Sequence, residues 1–272
     1  MTLSIIIVNF NTREILKKCL ASLSPGTTGL KGNWEVIVVD NGSVDGSVEW
    51  LRSWVSGSKR RQLILNRKNL GFAGGVNRGI KKARGNYILL LNSDIICQKK
   101  AISRLVVFAS EKNLLGLVGG RLLEPSRKPQ ASVFHLPTAW RALKEFWLGE
   151  KGAYLKYLPQ GKDPVMVESV VGAVMLIPRT TIRKTGLLSE DYFMYFEDLD
   201  YCRRLKKEGL PVYYLPAAKF IHFHGSSGKK NPGRISQYLV NSSRIYFGRG
   251  GHFLINLIIR SSYLWRKIAK KN

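Results

Sequence analysis

The sequence predicts an α/β fold in which helices flank an open, mostly parallel sheet, followed by a basic helical extension. Apolar runs rich in β-branched residues recur through the first 120 residues, and stretches with helical spacing separate them. Continuous apolar runs are typical of strands that are covered on both faces. Their alternation with helices favours a parallel sheet joined by right-handed crossovers.

The first half of the chain supplies five predicted strands and the helices between them. The strands are predicted over residues 3–8, 34–39, 62–66, 87–91 and 114–118. The first helix follows Thr12 as a candidate N-cap and closes at Pro25-Gly26. Further helices are predicted over residues 48–55, from a glycine-rich turn at 69–75 through residue 83, and over 101–109.

The second half is less regular. Residues 121–163 carry four prolines and scattered aromatic residues, which predicts an insertion or a flexible region. A long apolar strand with a bend at Gly172 is predicted over residues 165–177, and shorter strands over 212–215 and 219–224. Beyond Gly233 the spacing becomes helical.

The charge of the chain is its most unusual property. It has 44 basic and 18 acidic residues among 272, a net charge of +26, and no Asp or Glu follows Glu208. Such an excess indicates an anionic partner, which is a nucleic acid, a phosphate-bearing substrate or an acidic membrane surface. A hydrophobic content of 44% excludes a wholly disordered chain.

Neither a disulfide framework nor a membrane span is predicted. The three cysteines, Cys19, Cys97 and Cys202, form no CxxC pair, which favours a reducing compartment. The apolar N-terminal run lacks a basic region before it and is interpreted as a strand, not as a signal peptide. The longest late uncharged run, residues 250–259, is about half of the ~20 residues that a membrane-spanning helix needs.

Polar residues follow three of the predicted strands at the point where each strand ends. Asn9 and Asn11 follow the first, Asp40 ends the second, and Asn92 and Asp94 follow the fourth. Residues of these types are also common turn formers. Because ligands of open α/β sheets bind at the carboxyl ends of the strands, three such clusters together predict a binding site at that edge.

Three carboxylates, Glu197, Asp198 and Asp200, follow an aromatic run in the densest chemical segment of the chain. A helix that begins near Glu197 places Asp200 four residues before Arg204, which predicts an ion pair. Asp198 has no basic residue three or four positions later. It is a candidate general base whose aromatic neighbours tune its pKa, or alternatively a helix cap.

Two further motifs are weaker. His222 and His224 alternate on a strand-like piece, where Asp94 could contribute an oxygen to the same cation. The glycine-rich segment 71–77 allows close approach of the backbone to an anion or forms only a turn, and it fits neither the dinucleotide fingerprint nor the P-loop.

The C-terminal region combines aromatic and basic residues at helical spacing. Phe253, Tyr263 and Trp265 are interspersed with cations such as Arg260 and Arg266. This pattern predicts an amphipathic helix that lies on anionic lipid. A packing helix with a solvated basic face is the alternative.

These motifs together resemble the family 2 glycosyltransferases of the GT-A fold, in particular their rhamnosyltransferase-like branch. The resemblance covers roughly residues 3–227 and rests on seven segments in order: SIIIVNFN (4–11), VDNGS (39–43), NLGFAGGVNRG (69–79), LLLNSD (89–94), GAVMLI (172–177), FMYFEDLD (193–200) and HFHGSS (222–227). It implies an enzyme whose catalytic domain spans residues 1–228, with a nucleotide-sugar-binding half (1–120) and an acceptor-side half (121–228). Residues 229–272 would form the extension.

The resemblance also implies roles for matching residues. Asp198 would be the general base, and Asp94 and His222 would hold a divalent metal, Mn²⁺ or Mg²⁺, on the donor diphosphate. The residues implied in donor binding are Asn9, Asn11, Asp40, Gly71, Gly74, Gly75, Asn77, Asn92 and Ser93. Gly172, Ala173 and Glu197 would lie on the acceptor or sugar side. Asn92 stands where the family's DxD motif has its first Asp, so fewer carboxylates are available for the metal.

The resulting hypothesis is an inverting glycosyltransferase that moves a sugar, with rhamnose from dTDP-rhamnose as the expected one, onto a lipid-linked or cell-surface glycan. It would be cytoplasmic and peripheral on the inner face of the cell membrane. The alternative is a basic nucleic-acid-binding protein without catalysis. No helix-turn-helix, zinc-finger or RNA-recognition motif supports that class, and the acidic cluster at 197–200 opposes it, so no specific nucleic acid is expected. A nucleotidyltransferase would need a phosphate-activating lysine motif, which the sequence lacks.

Overall fold

The computed structural model describes residues 2–30, 33–223 and 232–269, which form eleven strands and nine helices. The strands are β1 (Leu3–Asn9), β2 (Trp34–Asp40), β3 (Arg61–Leu65), β4 (Tyr87–Asn92), β5 (Ile95–Cys97), β6 (Leu117–Leu123), β7 (Val133–Phe134), β8 (Val165–Val167), β9 (Ser169–Val170), β10 (Val174–Pro178) and β11 (Val212–His222). The helices are α1 (Arg13–Ala21), α2 (Pro25–Thr28), α3 (Ser47–Ser56), α4 (Gly71–Lys82), α5 (Ala101–Glu111), α6 (Ala139–Phe146), α7 (Arg179–Thr185), α8 (Glu197–Lys207) and α9 (Pro232–Ala269).

One large sheet forms the centre of the fold, in the order β3-β2-β1-β4-β10-β6-β11-β5, with β8 beside β11. The strands from β3 to β4 are parallel, β10 is antiparallel to both of its neighbours, and β6 and β11 are again parallel. A small second sheet pairs β7 with β9. The predicted α/β fold with a mostly parallel sheet is therefore confirmed.

Hydrophobic side chains of the sheet pack alternately on its two faces. In β1, Ile5 and Ile7 join the core beneath α1 and α5, whereas Ile6 joins the core beneath α4 and α8. The period of two in a strand explains this division, and helices on both faces explain why the run contains no polar residue between Ile5 and Val8. The cysteines Cys19, Cys97 and Cys202 are buried in these cores as free thiols.

Several predicted elements differ from the observed ones. Residues 71–75 form the first turns of α4 and not a loop, and residues 121–163, predicted as an insertion or flexible region, contain β7 and α6. The single strand predicted over residues 165–177 is three strands, because β8, β9 and β10 pair with different partners. Strand β5 was not predicted.

The ends of the strands define one edge of the sheet. Asn9, at the end of β1, is in register with Asp40 of β2, and Val8 is in register with Asn92 of β4. Strand β10 begins at this edge, because the backbone N–H of Asn92 donates to the carbonyl of Ala173 at 3.0 Å. The polar clusters noted in the sequence therefore meet, as expected for carboxyl ends of parallel strands.

Helix α9 consists of two helical segments separated at Gly248, whose φ of 73° and ψ of 166° are not helical. Aromatic residues of the first segment, residues 232–247, pack near the loop before α8. The second segment, residues 249–269, packs on α6 through Ile255, which contacts Ala142 and Phe146. Within the described ranges, no helix has the length and apolarity that a membrane crossing requires.

Candidate active site

A fixed carboxylate lies where β1 and β2 end. Asn9 Nδ2 donates to Asp40 Oδ2 at 2.7 Å, and both side chains are fully buried. The other oxygen, Oδ1, accepts hydrogen bonds from the backbone N–H groups of Gly42 and Ser43 at 3.1 and 2.8 Å. Three donors thus hold the Asp40 carboxylate at the edge of the sheet.

Side chains after β1 and β4 extend this polar network. The Thr12 hydroxyl donates to Asn9 Oδ1 at 2.6 Å and lies 3.0 Å from the Ser93 hydroxyl. Thr12 occupies the predicted N-cap position of α1, but its side chain makes no capping bond because it points to Asn9. Asn11 adopts a positive φ of 54°, receives a hydrogen bond from the Val44 N–H and donates its own N–H to Ser43.

The glycine-rich start of α4 is a close packing junction. Gly71 has a φ of +76°, and a Cβ there would lie 2.2 Å from the carbonyl oxygen of Phe193. The adjacent N–H of Phe72 donates to that same oxygen at 2.9 Å. The sequence predicted either close approach of an anion or a plain turn at this segment, and in the structure the group that lies closest is the backbone of the loop before α8.

The other predicted residues of this segment also contact protein groups. A Cβ on Gly74 would meet Leu70, and a Cβ on Gly75 would lie 2.8 Å from Val8, so α4 sits close against β1. The Asn77 amide donates to the Leu188 carbonyl at 2.8 Å and to Glu190 at 2.9 Å. These contacts join α4 to the segment before α8.

Asp94 and His222 are brought together by the pairing of β5 with β11. The carboxylate Oδ1 and the imidazole Nε2 are 3.5 Å apart, and both side chains are buried. His222 Nδ1 lies 2.8 Å from Gln130 Oε1, a residue that the sequence did not single out. The remaining residues of the expected motif, 224–227, lie outside the described residues.

The Asp94–His222 pair has the chemistry of a partial metal site. Gln130 Oε1 lies within hydrogen-bonding distance of Nδ1, and Nε2 is the ring nitrogen nearer to Asp94, a division of roles that is common in metal-binding histidines. Mn²⁺ and Mg²⁺ accept such oxygen and nitrogen ligands. Among the described residues, no group of three or more His, Cys, Asp or Glu is arranged to hold a metal.

Asp198 lies in the first turn of α8 and faces the segment before β10. The Gly172 N–H donates to its Oδ2 at 2.8 Å, and the Leu199 N–H donates to its Oδ1 at 2.8 Å. Burial raises the pKa of Asp198, while these two bonds and the charge of Lys156 oppose the rise. The two hydrogen bonds therefore fix the Asp198 carboxylate in position, and its pKa is higher than that of a solvent-exposed carboxylate.

Its two acidic neighbours have different surroundings. Glu197 is buried, and its Oε2 has no hydrogen-bond partner among the described residues. Burial, with the nearby charge of Asp198, raises the pKa of Glu197 to about 8. Asp200 instead pairs with Arg203 at 2.7 Å and Arg204 at 3.1 Å, which confirms the predicted Asp200–Arg204 ion pair.

The loop that precedes these carboxylates has an unusual backbone. Tyr195 and Phe196 both have positive φ, 70° and 67°, a conformation that bulky residues rarely adopt. Helix α9 holds them there, because Phe196 packs on Tyr246 with ring centroids 5.2 Å apart and the Ser242 hydroxyl donates to the Met194 carbonyl at 2.8 Å. Strain of this kind is concentrated at functional sites.

Lys156 is a charged neighbour of Asp198 that the sequence did not indicate. Partial burial lowers the pKa of Lys156, and the charge of Asp198 opposes that shift. The residue belongs to the segment between α6 and β8, where no motif could be recognised. Only the tertiary structure places this segment beside α8.

The sheet order and a polar edge built from four strands define this protein as an α/β protein of the GT-A type. The fold is similar to that of TarS residues 1–349 from S. aureus, with a TM-score of 0.61 and 13% identity over 91% of this chain and 64% of that one. The profile of the family described as "Glycosyl transferase family 2" matches residues 4–155. Since this match covers more than half of the sequence, the chain belongs to glycosyl transferase family 2.

Two curated relatives are similar over most of the chain. A low-salt glycan biosynthesis hexosyltransferase of Haloferax volcanii is 30% identical over 226 residues, 81% of this chain and 66% of that protein. An N-acetylglucosaminyl-diphospho-decaprenol L-rhamnosyltransferase of Mycobacterium tuberculosis is 26% identical over 248 residues, 85% of this chain and 78% of that protein. The chain thus spans slightly less than two thirds of the Haloferax protein.

Proposed function

We propose that this protein transfers a sugar from a nucleotide-sugar donor to a hydroxyl group of a glycan or lipid-linked acceptor, with inversion at the anomeric carbon. The observation that carries the proposal is the position of Asp198, a half-buried carboxylate with raised pKa that is fixed by the Gly172 N–H. The Gly172–Ala173 segment reaches the edge where Asp40 and Asp94 lie, since Ala173 bonds with Asn92. Donor and base would therefore face each other across this edge.

The donor half of the site would be formed by the ends of β1, β2 and β4. Asn9 and Asp40, which the resemblance assigns to the base and ribose of the nucleotide, are fully buried. In this proposal they hold the turn at Gly42 and Ser43 in place, and Asn11, Asn92 and Ser93 would lie beside the nucleotide. The hydrogen bonds of Asp40 fix this turn before a ligand arrives, which lowers the entropy lost on binding. The Mycobacterium relative, which is named as an L-rhamnosyltransferase, supports rhamnose as the sugar, and we propose dTDP-rhamnose as the donor.

A divalent cation fits the Asp94–His222 pair. When bound, Mn²⁺ or Mg²⁺ neutralises the charge that develops on the leaving nucleoside diphosphate. Asp94 would contribute a carboxylate oxygen and His222 its Nε2, with Gln130 keeping the ring in place through Nδ1. Asn92 supplies an amide where a second carboxylate would stand, so this chain would hold the cation with less negative charge.

The acceptor hydroxyl would give its proton to Asp198 as its oxygen attacks the anomeric carbon. One displacement with one base inverts that carbon, and the raised pKa brings the base nearer to neutral pH. Glu197 would lie on the acceptor side in its protonated form, so that Asp198 carries the negative charge of this pair. Lys156 supports the ionised form of Asp198 through its positive charge.

The extension would bring the enzyme to its acceptor. In this proposal residues 1–228 form the catalytic domain, and residues 229–272 contact the inner face of the cell membrane. Phe253, Leu257 and Trp265 are exposed in α9, and no acidic residue follows Glu208 to repel anionic lipid. The enzyme would then be cytoplasmic and peripheral.

The test is release of nucleoside diphosphate from a panel of dTDP-, UDP- and GDP-sugars with Mn²⁺, Mg²⁺ or EDTA, with and without a glycan acceptor. We expect release from one donor that EDTA and Asp94→Ala abolish. Asp198→Asn should lower transfer by at least ~10²-fold and leave donor binding within about twofold, because it removes only the base. Asp191→Asn, the same change at an exposed position, is the control.

Two results would overturn the proposal. Near-normal transfer by Asp198→Asn would exclude the residue as base. If no donor shifts the melting temperature in the presence of metal, the basic nucleic-acid-binding protein becomes the better interpretation, and a binding assay with RNA and DNA would follow.

A further inference from the structure

A cationic cavity lies between α6 and the segment that follows it. Its volume is about 460 Å³. Its lining residues are His135, Arg141, Lys144, Glu150, Lys151, Gly152, Ala153, Tyr157 and Leu158. Three cations and one carboxylate in this list give the cavity a net positive charge, which favours an anionic ligand.

Two of the three cations are available to a ligand. The Arg141 guanidinium is bonded to the Glu168 carboxylate, which fixes it in place and balances its charge. Lys144 pairs with Glu150 at 3.0 Å, but both side chains are substantially exposed and such pairs exchange easily. Lys151 forms no ion pair within the described part of the chain. A phosphate group in the cavity can therefore attract Lys144 and Lys151 without breaking a buried ion pair.

The floor of the cavity is flat and neutral. The rings of His135 and Tyr157 are stacked with centroids 4.6 Å apart and an angle of 19° between their planes. Burial, assisted by the charge of Arg141, lowers the pKa of His135, so its ring is uncharged at neutral pH. The positive charge available to a ligand thus comes from Lys144 and Lys151.

On one side the cavity borders an exposed apolar surface. This surface, called here the α6–α9 apolar face, consists of Trp140, Trp147, Leu148, Phe253, Leu257 and Trp265, each at least 42% exposed. Trp147 joins its two helices, because its Nε1 donates to the Ile258 carbonyl at 3.1 Å and its ring lies 6.0 Å from that of Trp265. Lys144, which lines the cavity, places its ammonium 5.9 Å from the Trp140 ring.

On the other side the cavity is connected to the candidate base. Glu168, which holds Arg141, is four residues before Gly172, and Gly172 bonds to Asp198. An extended segment of four residues spans ~13 Å. Tyr157 lines the cavity, and the residue that precedes it, Lys156, interacts with the charge of Asp198. Neighbouring residues therefore connect the α6–α9 apolar face to the cationic cavity, and the cavity to Asp198.

We propose that this cavity binds the phosphate groups of a lipid-linked acceptor, whose hydrocarbon chain lies on the α6–α9 apolar face and whose sugar points to Asp198. A lipid phosphate or diphosphate sugar has its apolar, anionic and hydroxyl-bearing parts in this same order. The proposal rests on the proposed function, because it names the acceptor of that reaction. In this proposal Lys144 and Lys151 determine the specificity for an acceptor that carries phosphate groups.

The test uses farnesyl diphosphate as a soluble probe, titrated by calorimetry in EDTA so that no metal supports binding at the donor site. We expect the double variant Lys144→Gln/Lys151→Gln to bind it at least tenfold more weakly than the unaltered protein, because two charge-assisted contacts are lost. The control Lys81→Gln/Lys82→Gln removes the same charge from two exposed lysines of α4 and should bind within twofold. Farnesol, which lacks the diphosphate, should show equal affinity for all three proteins.

Vesicles of phosphatidylglycerol distinguish acceptor phosphate from bilayer headgroups. If the cavity variant loses vesicle binding and keeps farnesyl diphosphate binding, the lysines serve the membrane and the proposal is wrong. Equal weakening by the control pair, or no binding of farnesyl diphosphate by the unaltered protein, also overturns it. Donor hydrolysis is measured in parallel, since the cavity variant should retain it, whereas failure of the proposed function would remove it from every protein.

Discussion

The three neighbouring carboxylates at the start of α8 have different hydrogen-bond partners. Asp200 has two arginines, Asp198 has two backbone N–H donors, and Glu197 has a buried oxygen with no partner among the described residues. The sequence predicted the Asp200–Arg204 pair from helical spacing alone. It could not predict the state of Glu197, because burial depends on residues far away along the chain.

Glu197 should make stability depend on pH. Its folded-state pKa of about 8 lies above its ordinary value of 4.5, so the folded protein retains the proton through this interval. This contribution to stability is complete below pH 4.5 and is lost as the pH rises through 8. Glu197→Gln should therefore flatten the decline of the melting temperature between pH 5 and pH 8.5, by several degrees at the upper end.

The matched control for this measurement is Glu111→Gln, at an exposed position. It should keep the pH dependence of the unaltered protein. Parallel curves for all three proteins would show that Glu197 does not titrate in this range.

The sequence predicted those residues of the site that belong to a recognisable motif. Asp94, Asp40 and Asn9 stand at the ends of recognisable strands, and the structure does place them at one edge. Gln130 and Lys156 lie between elements whose order in the sheet is not encoded locally. Their contacts with His222 and Asp198 arise only when distant segments pack together.

Among the elements, the start of α4 illustrates how a glycine motif positions another segment. Gly71 allows the Phe193 carbonyl to come so close that any Cβ would collide with it. The loop from Phe193 to Phe196 in turn leads directly into Glu197 and Asp198. A short backbone contact therefore determines the position of the candidate base.

Gly71→Ala should destabilise the fold and impair transfer together. Its φ of +76° disfavours alanine, and the new Cβ would meet backbone atoms that have little freedom to move. We expect a loss of about 2–4 kcal/mol in the free energy of unfolding, measured by urea titration, and a lower kcat from displacement of Asp198. Gly26→Ala, where nothing lies within 4 Å of the added Cβ, is the control. Equal stability of both variants would contradict this view of the junction.

The predicted strand at residues 165–177 shows that a hydrophobic pattern alone does not reveal where one strand ends and the next begins. The run is nearly continuous, but β8 pairs with β11, β9 with β7, and β10 with β4 and β6. The boundaries between these strands depend on which neighbouring strand each part of the run pairs with. Residues 3–8 and 87–91, in contrast, were predicted well because each of these runs forms one strand in the centre of the sheet.

At the scale of the whole molecule, charge and apolar surface are concentrated at the α6–α9 end. The sequence predicted the basic aromatic helix, and the structure adds α6 as its neighbour through Phe146 and Ile255. That addition was not predictable, because residues 121–163 carry no periodic signal of their own. The combined surface is larger than one helix face.

The α6–α9 apolar face should bind anionic vesicles. Replacing Phe253, Leu257 and Trp265 by Ser should reduce co-sedimentation with phosphatidylglycerol vesicles at least tenfold, because apolar burial and lipid charge act together. Binding should weaken in high salt, which screens the cations. The control replaces Val44, Val107 and Leu115, exposed residues elsewhere, by Ser. Retention of vesicle binding by the α9 variant would exclude this face as the membrane contact.

The interruption of α9 at Gly248 separates two segments that are subject to different constraints. Residues before it hold the strained aromatic loop, so a change at Tyr246 or Ser242 should disturb the backbone that leads into Asp198. Residues after it pack on α6 through Ile255 and do not contact that loop in the contacts described above. The second segment can therefore diverge in sequence together with α6 while the geometry around the carboxylates stays the same.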